Sequence, residues 1–534
     1  MSVLPLKYTP RHQQSEILNF FKKSVANNKK FILLDAPTGS GKSFLPTLLG
    51  NWFLKTISRN TSIDVITQTK SLQRQYKDDF DHMGNLYGQS NYFCQKNATS
   101  CDNAKMLNES GKHCSDCPYK AAMNNFLNSD IALCNYHLFN SFQIFISEFW
   151  EQFRSRPKNI LFVDEAHLFE KVFSDFISNR ISVGIMKRLD LDTLDNIEQF
   201  ESIRSVKATY NFLKSSLIPD AHDKLGFYRD KIRLASNKNQ KSHFAKKYDY
   251  LDSFINRWGR FMENHDDGNW VINTEYTSNQ EKVYSIEPIW GREYINEFIW
   301  DKYDHIVLMS GSILDPKIFS KLNGFSDQNY SYLKLKHVFP AKKRPIFYLN
   351  KGKMSQKHLK KSFNQQVPLI RKILKRHKNH KGIIHTANYK ISDMLVDAIG
   401  SNRFITHDSE NRDEQLQKHI NSKSSTIMVS PSMFTGVDLK DDLSRFQIIM
   451  KIPFPYLGSN KIKRRMKQEP DWYAWKTIND LVQSYGRSIR SKQDWAYTYF
   501  LDGSFDFLYQ KNKKLIPKYF MDGISAGAKH TSKK

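Results

Sequence analysis

Short, wholly apolar runs recur along the chain, separated by amphipathic stretches. Phe31–Leu34, Val65–Ile66, Ile160–Val163 and Ile306–Met309 form a first set; Ile383–Ile384, Ile427–Val429 and Ile448–Ile452 form a second. A run without polar alternate positions is covered on both faces, so these runs predict buried strands of parallel sheets and an α/β fold. Two regions break the rhythm. From about Ser90 to Asp130 the chain is polar, cysteine-bearing and almost without periodicity. From about Glu170 to Ile295 it reads as mostly helical and charged, with aromatics such as Tyr210, Phe254 and Trp258. Both are expected to be insertions into the first α/β domain, and HVFPAKKRP, around Phe339–Pro345, reads as a linker to the second.

Composition narrows the class. Of 534 residues 40% are hydrophobic, enough for sizeable cores and too many for a disordered chain. No apolar run reaches the ~18 residues of a membrane span, and the opening MSVLPLKYTPRHQQ has no signal-peptide pattern. The expectation is a cytoplasmic protein of a bacterial cell or virus-infected host, with no membrane partner. Lysine and arginine total 81 against 54 acids, giving +27 and a pI near 9.6. Such an excess favours a polyanionic partner, although a Lys- and Asn-rich solvated surface contributes to it. Between Gln328 and Ser392 there is no carboxylate among seventeen lysines and arginines. Helical spacing in RKILKRHKNHK places part of that charge on one face, as a solvated surface or a phosphate-tracking patch.

The first apolar run leads into Asp35-Ala36-Pro37-Thr38-Gly39-Ser40-Gly41-Lys42-Ser43 and then an apolar helix from about Phe44. Glycines let successive backbone N–H groups turn towards a phosphate, and the helix N-terminus adds partial positive charge. Lys42 can reach the β- and γ-phosphates of ATP, with the Ser43 hydroxyl on Mg2+. Ala36 stands where the general GxxxxGKS/T pattern has its first glycine. The run Ile160–Val163 ends in Asp164-Glu165-Ala166-His167. Asp164 is placed to hold the metal, Glu165 to orient or deprotonate the attacking water, and His167 to couple the site to neighbouring segments.

APTGSGKS, VDEAH and QSYGRSIR resemble the Walker A, Walker B and motif VI segments of superfamily 2 helicases. The resemblance implies two RecA-like domains, with Gln483, Arg487 and Arg490 reaching the γ-phosphate from the second. Other segments fit in order. Arg11 and Gln14 resemble the adenine-contacting motif. Thr67, Thr69, Lys70 and Gln75 resemble motif Ia, which touches the nucleic-acid backbone. Ser310-Gly311-Ser312 resembles motif III. Thr386 and Asn388, in GIIHTANYK, resemble motif IV, and Thr435 and Asp438, in FTGVDL, resemble motif V; Asp438 is expected at the ATP and Thr435 at nucleic acid.

Four cysteines are spaced Cys94-x6-Cys101-x12-Cys114-x2-Cys117. Four thiolates suit tetrahedral Zn2+ or an iron–sulfur cluster, and spacing does not separate the two. SNYFC, HCSDCPYK and SDIALCNYHLF resemble the XPD/DinG family, in which four such cysteines ligate a 4Fe-4S cluster. Cys134 reads as a small core hydrophobe, with replacement of Cys101 as a ligand the alternative.

The expected organisation is a discontinuous RecA-like domain 1 (residues 1–90, 135–169 and 296–338) carrying two insertions. These are an iron–sulfur insertion (91–134) and a helical arch-like insertion (170–295); RecA-like domain 2 follows (339–534). The family resemblance implies a monomeric ATP-dependent helicase moving 5′→3′ on single-stranded DNA and acting on forked or tailed duplex. A DEAH-type RNA helicase with a zinc site, and a single-strand-binding remodeller with weak unwinding, are the alternatives.

Overall fold

A computed structural model describes residues 12–37, 39–57, 61–107, 116–145, 158–266, 268–277, 279–326, 329–408, 410–432, 439, 441–486 and 494–531. In chain order the first strands are β1 (Phe31–Asp35), β2 (Ser62–Thr67), β3 (Gly84–Asn85), β4 (Phe93–Cys94), β5 (Thr99–Ser100) and β6 (Ile131–Asn135). Then come β7 (Lys158–Asp164), β8 (Asn179–Ser182), β9 (Trp270–Tyr276), β10 (Lys282–Pro288), β11 (His305–Ser310) and β12 (Tyr330–Lys334). A second group comprises β13 (Ile346–Tyr348), β14 (Gly382–His385), β15 (Phe404–Ile405), β16 (Ile427–Ser430), β17 (Phe446–Ile449) and β18 (Tyr497–Phe500).

Two parallel sheets organise the chain. The first has seven strands in the order β12-β1-β11-β7-β2-β6-β3, the second six in the order β13-β18-β17-β14-β16-β15. In the first, Ile32 pairs with Val307, Val307 with Phe162, and Phe162 with Val65, all without exposed surface. Crossover helices cover both faces, which is why these strands carry no polar alternation. The apolar run at Ile448–Ile452 is only partly strand: the ladder ends at Ile449, and Met450 and Ile452 stay buried beyond it. Pro453 and Pro455 follow and cannot donate to a ladder.

Helices layer the second sheet by the alternation of its strands. Along β17, Phe446 and Ile448 face the helices Leu359–Arg376 and Tyr389–Ile399, whereas Ile449 packs with Pro470–Tyr485 and Lys518–Thr531. The region 170–295 departs from the mostly helical expectation. It contains the helices Ile218–Leu234 and Lys238–Asn264, and also an antiparallel sheet in the order β8-β10-β9. WVINTEY and KVYSIEP are strands in which polar residues interrupt the β-branched and aromatic ones. Helix Lys238–Asn264 packs on Cys101–Leu107 of the cysteine-bearing insertion. No described helix is long and apolar enough to cross a membrane.

Candidate nucleotide site and its link to the second sheet

The phosphate loop hangs between the carboxyl end of β1 and a short helical turn, Lys42–Phe44, that runs into helix Leu45–Thr56. Gly39 and Gly41 both adopt left-handed φ, 85° and 86°, a conformation that glycine takes without steric cost. At Gly39 space matters as much: a Cβ there would stand 2.3 Å from the Phe339 ring, which comes from the linker to the second sheet. Lys42 Nζ donates to the Ala36 carbonyl at 2.8 Å, so the residue in place of the usual glycine anchors the lysine through its backbone. Ser40 Oγ is buried with no hydrogen-bond partner among the described residues, a donor available to a phosphate oxygen.

Asp164 ends β7, two strands from β1. Its Oδ2 accepts from Tyr76 Oη at 3.2 Å, its Oδ1 accepts from the Glu165 N–H at 3.0 Å, and Tyr136 Oη donates to its backbone carbonyl. Burial pushes the Asp164 carboxyl up to about 7, repulsion from Glu165 adds to this, and Lys42 opposes it. Ser43 also bonds the Tyr76 hydroxyl, so Lys42, Ser43 and Asp164 belong to one cluster. A hydroxyl and a buried carboxylate beside an ammonium fit a Mg2+–nucleotide. Tyr76 was not anticipated; its only signal was a lone aromatic among the polar residues after motif Ia.

Beyond Asp164 a row of polar contacts crosses to the second sheet. Glu165 sits at φ 55°, left-handed for a non-glycine residue, with Oε2 3.4 Å from His167 Nδ1. Strain of this kind persists only where the surroundings hold it, and costs roughly 1–3 kcal/mol. His167 Nδ1 lies 2.9 Å from Ser310 Oγ, which accepts from the Ser312 N–H at 3.1 Å. Ser312 Oγ in turn accepts from Gln483 Nε2 at 2.5 Å and from Asn479 Nδ2 at 3.1 Å. Asn479 and Gln483 lie one turn apart on helix Pro470–Tyr485, which leads towards Arg487 and Arg490. A single row therefore connects the DEAH and SGS segments to the start of QSYGRSIR. Arg11, Thr38, Cys114, Thr435, Asp438, Arg487 and Arg490 lie outside the described residues.

The remaining expected residues divide by exposure. Gln14 is buried in the first turn of helix His12–Ala26, which packs against the phosphate-loop helix. Thr67 is fully buried, and Thr69 Oγ1 caps helix Lys70–Asp79 by accepting from the Leu72 N–H, leaving Lys70 and Gln75 exposed. Thr386 is also buried, and Asn388 caps helix Tyr389–Ile399.

In the cysteine insertion, Cys94 ends β4, Cys101 starts helix Cys101–Leu107, and Cys117 precedes helix Pro118–Asn128. All three are buried, and the Cys117 and Cys101 sulfurs lie 3.8 Å apart. Burial pushes the Cys101 thiol up to about 11, with Cys117 and Cys94 adding repulsion to its thiolate. The donor chemistry fits a thiophilic metal group. Among the described residues no three His, Cys, Asp or Glu side chains are assembled into an ion-binding group. Cys134 lies in β6, paired with Ile66 and 2% exposed.

Comparison with known proteins agrees with this architecture. Residues 370–522 match the helicase C-terminal domain family, and residues 7–194 match the family described as type III restriction enzyme, res subunit. Among solved structures, an XPD helicase aligns over 95% of this chain and 98% of its own, with a TM-score of 0.67 and 15% identity. The chain has the fold of an XPD-like superfamily 2 helicase. An apo XPD structure aligns over the same shares with a TM-score of 0.64 at 17% identity, and Xpd4 of S. tokodaii does so at 0.59 and 13%. No curated protein sequence matches. Within this fold, the two parallel sheets are the two RecA-like domains, and the row from Glu165 to Gln483 runs between them.

Proposed function

We propose that the protein is an ATP-dependent DNA helicase or translocase that moves 5′→3′ on single strands and unwinds forked or tailed duplex. The observation that carries this reading is the row Glu165–His167–Ser310–Ser312–Gln483, which ties a phosphate loop and its carboxylates to the helix preceding two arginines. Lys42 and the loop amides from Thr38 to Gly41 hold the β- and γ-phosphates, with Arg11, Gln14 and Asp438 elsewhere on the nucleotide. Ser43 and Asp164 would hold Mg2+, which neutralises charge on the phosphates. Glu165 orients and deprotonates the attacking water, and Arg487 and Arg490 stabilise the transferred phosphoryl group. As that charge moves, Gln483 and Ser312 register it at the interface. Lys70, Gln75 and Thr435 then alter their hold on the strand, while Thr67 and Thr386, both buried against the expectation of a strand contact, and the capping residues Thr69 and Asn388 shape the loops behind them.

Cys94, Cys101, Cys114 and Cys117 would hold a 4Fe-4S cluster that cross-links the insertion's short elements. Zn2+ is a second reading, favoured by one distance. The 3.8 Å between the Cys101 and Cys117 sulfurs equals the edge of a tetrahedron with bonds of about 2.3 Å, the usual Zn–S length. Iron, zinc and sulfide analysis of anaerobically purified protein separates the two. The activity is tested by strand separation with ATP and Mg2+ on duplexes carrying a 5′ or a 3′ tail. Unwinding from the 5′ tail alone is expected; unwinding from the 3′ tail alone overturns the polarity, and unwinding of RNA alone overturns the substrate.

A further inference from the structure

Helix Leu359–Arg376 buries Ser362, Phe363, Gln366, Ile370, Ile373 and Leu374 against the second sheet. On its opposite side, positions 360, 361, 364, 365, 368, 371, 372, 375 and 376 are all exposed, following the helical repeat. Every charge on that face is positive: Lys360, Lys361, Arg371, Lys372, Lys375 and Arg376. Arg371 donates to the Ala398 carbonyl, and the Arg376 guanidinium lies 5.7 Å from the Tyr497 ring centre. Among the described residues none of the six forms an ion pair. From residue 360 to 376 the row extends about 24 Å at 1.5 Å per residue.

The row is separate from the nucleotide cleft. Its helix lies on the Phe446 and Ile448 face of β17, while helix Pro470–Tyr485, which meets Ser312, lies on the Ile449 face. At one end it approaches the strand termini that carry the motif IV residues: Gln366 Nε2 donates to the Met450 carbonyl, and the Met450 N–H donates to the His385 carbonyl. No large hydrophobic side chain between residues 351 and 381 is exposed, and the Tyr497 ring near Arg376 is half-buried, so the face offers no open row of rings on which unpaired bases could stack. Cations without aromatics match regularly spaced phosphates better than a flexible single strand.

We propose that this outer face of the second motor domain binds the phosphate backbone of the duplex arm of the substrate. The site is distinct from the strand track of the motif Ia, IV and V loops. The proposal rests on the reading that the protein works on nucleic acid. Neutralising the row converts it from a clamp on the duplex arm to a neutral surface, leaving the cleft intact.

The test compares the wild-type chain with K360Q/K361Q/K372Q/K375Q, binding either a tailed duplex or a short single-stranded oligonucleotide across a salt series. With the tailed duplex, the slope of log K against log salt should shrink by up to about 3.6, at roughly 0.9 per phosphate contact. With the single strand, the slope and the oligonucleotide-stimulated ATPase rate should stay at wild-type values. The half-row variants K360Q/K361Q and K372Q/K375Q should each lose about half, which keeps the test open if the fourfold variant folds poorly. An unchanged duplex slope, or equal losses on both ligands, overturns the site while leaving the helicase reading in place. Loss of binding to phosphatidylserine vesicles with the DNA slopes intact overturns it in favour of a membrane surface. Absence of nucleic-acid binding by the wild type overturns both readings.

Discussion

Arg465 makes the most exacting test of how the second RecA-like domain is held to the segment that follows the DEAH sequence. Its guanidinium is 4% exposed and forms a two-pronged pair with Glu170, itself 2% exposed, at 2.5 and 3.1 Å. The rings of Trp290 and Trp472 lie 4.6 and 5.1 Å away. Glu170 also accepts from the Gly291 N–H at 2.9 Å, and Arg465 Nε donates to the Ile289 carbonyl. Glu170 begins the helix after the DEAH segment, and Arg465 lies on Asn460–Gln468, immediately before the helix that carries Gln483. R465A leaves a buried carboxylate with one backbone donor in place of three. Breaking one side of such a pair costs about 3–5 kcal/mol, whereas replacing both sides with apolar residues is often neutral. Since a chain of this size need not unfold in one step, the assay is native-state hydrogen exchange of amides in residues 460–485. R465A should reduce protection there by a factor of about one hundred to several thousand, at 1.4 kcal/mol per tenfold, and E170L/R465M should recover most of it. ATP hydrolysis should survive better than unwinding in R465A, because the pair touches neither phosphate nor metal. Unchanged protection in R465A would refute the assignment of this pair as a fastening between these two parts.

K42A should abolish ATP hydrolysis while leaving DNA binding measurable by fluorescence anisotropy; retained turnover would remove Lys42 from the site. Replacing Cys117 with serine should remove bound iron or zinc, measured by elemental analysis, and reduce unwinding more than ATPase activity. Stability should fall on acidification because His377, 2% exposed and stacked on Phe446, is held down to about 3 by burial and nearby cations. Below the ordinary histidine pKa of about 6.5 the unfolded chain takes up a proton that the fold refuses, so stability rises with pH across this window. The slope from this residue is up to about 1.4 kcal/mol per pH unit, and H377Q should flatten the denaturation midpoint between pH 6.5 and 5. G39A should weaken nucleotide binding in calorimetry, since the new Cβ meets both a left-handed φ and the Phe339 ring.

What the sequence disclosed followed physical continuity along the chain. Phe31–Leu34 and Ile160–Val163 announced themselves because strands covered on both faces need unbroken apolar runs, and the chemistry sits at their carboxyl ends within the next few residues. β9 and β10 stayed hidden because Asn273, Glu275, Lys282, Ser285 and Glu287 interrupt their apolar positions, and neither strand shows the unbroken apolar run of the parallel sheets. Tyr76, Phe339, Asn479 and the Glu170–Arg465 pair were invisible for a different reason. Each acts through a partner distant in sequence, 295 residues away for Arg465, and no local pattern encodes that distance. Of the three described cysteines, the structure brings Cys101 and Cys117 together at 3.8 Å, while their spacing in the sequence does not separate iron from zinc.

The contacts between the two sheets differ in kind, and the difference bears on how motion is transmitted. Near the phosphate loop they are hydrogen bonds from the Gln483 and Asn479 amides to Ser312, whose geometry is sensitive to shifts well below an ångström. Farther out they are the Glu170–Arg465 pair with its tryptophans, the Arg292–Glu469 pair at 2.6 Å and the Trp475 indole on the Ile313 carbonyl. The Glu170–Arg465 pair is buried and the Trp475 indole is fully buried, so both hold one arrangement firmly, whereas Arg292 and Glu469 share their charge with Glu293 and Lys321. A change in phosphate charge sensed by the inner row therefore acts against a stiff outer fastening. On this geometry, loosening the outer fastening should weaken force transmission before it weakens hydrolysis.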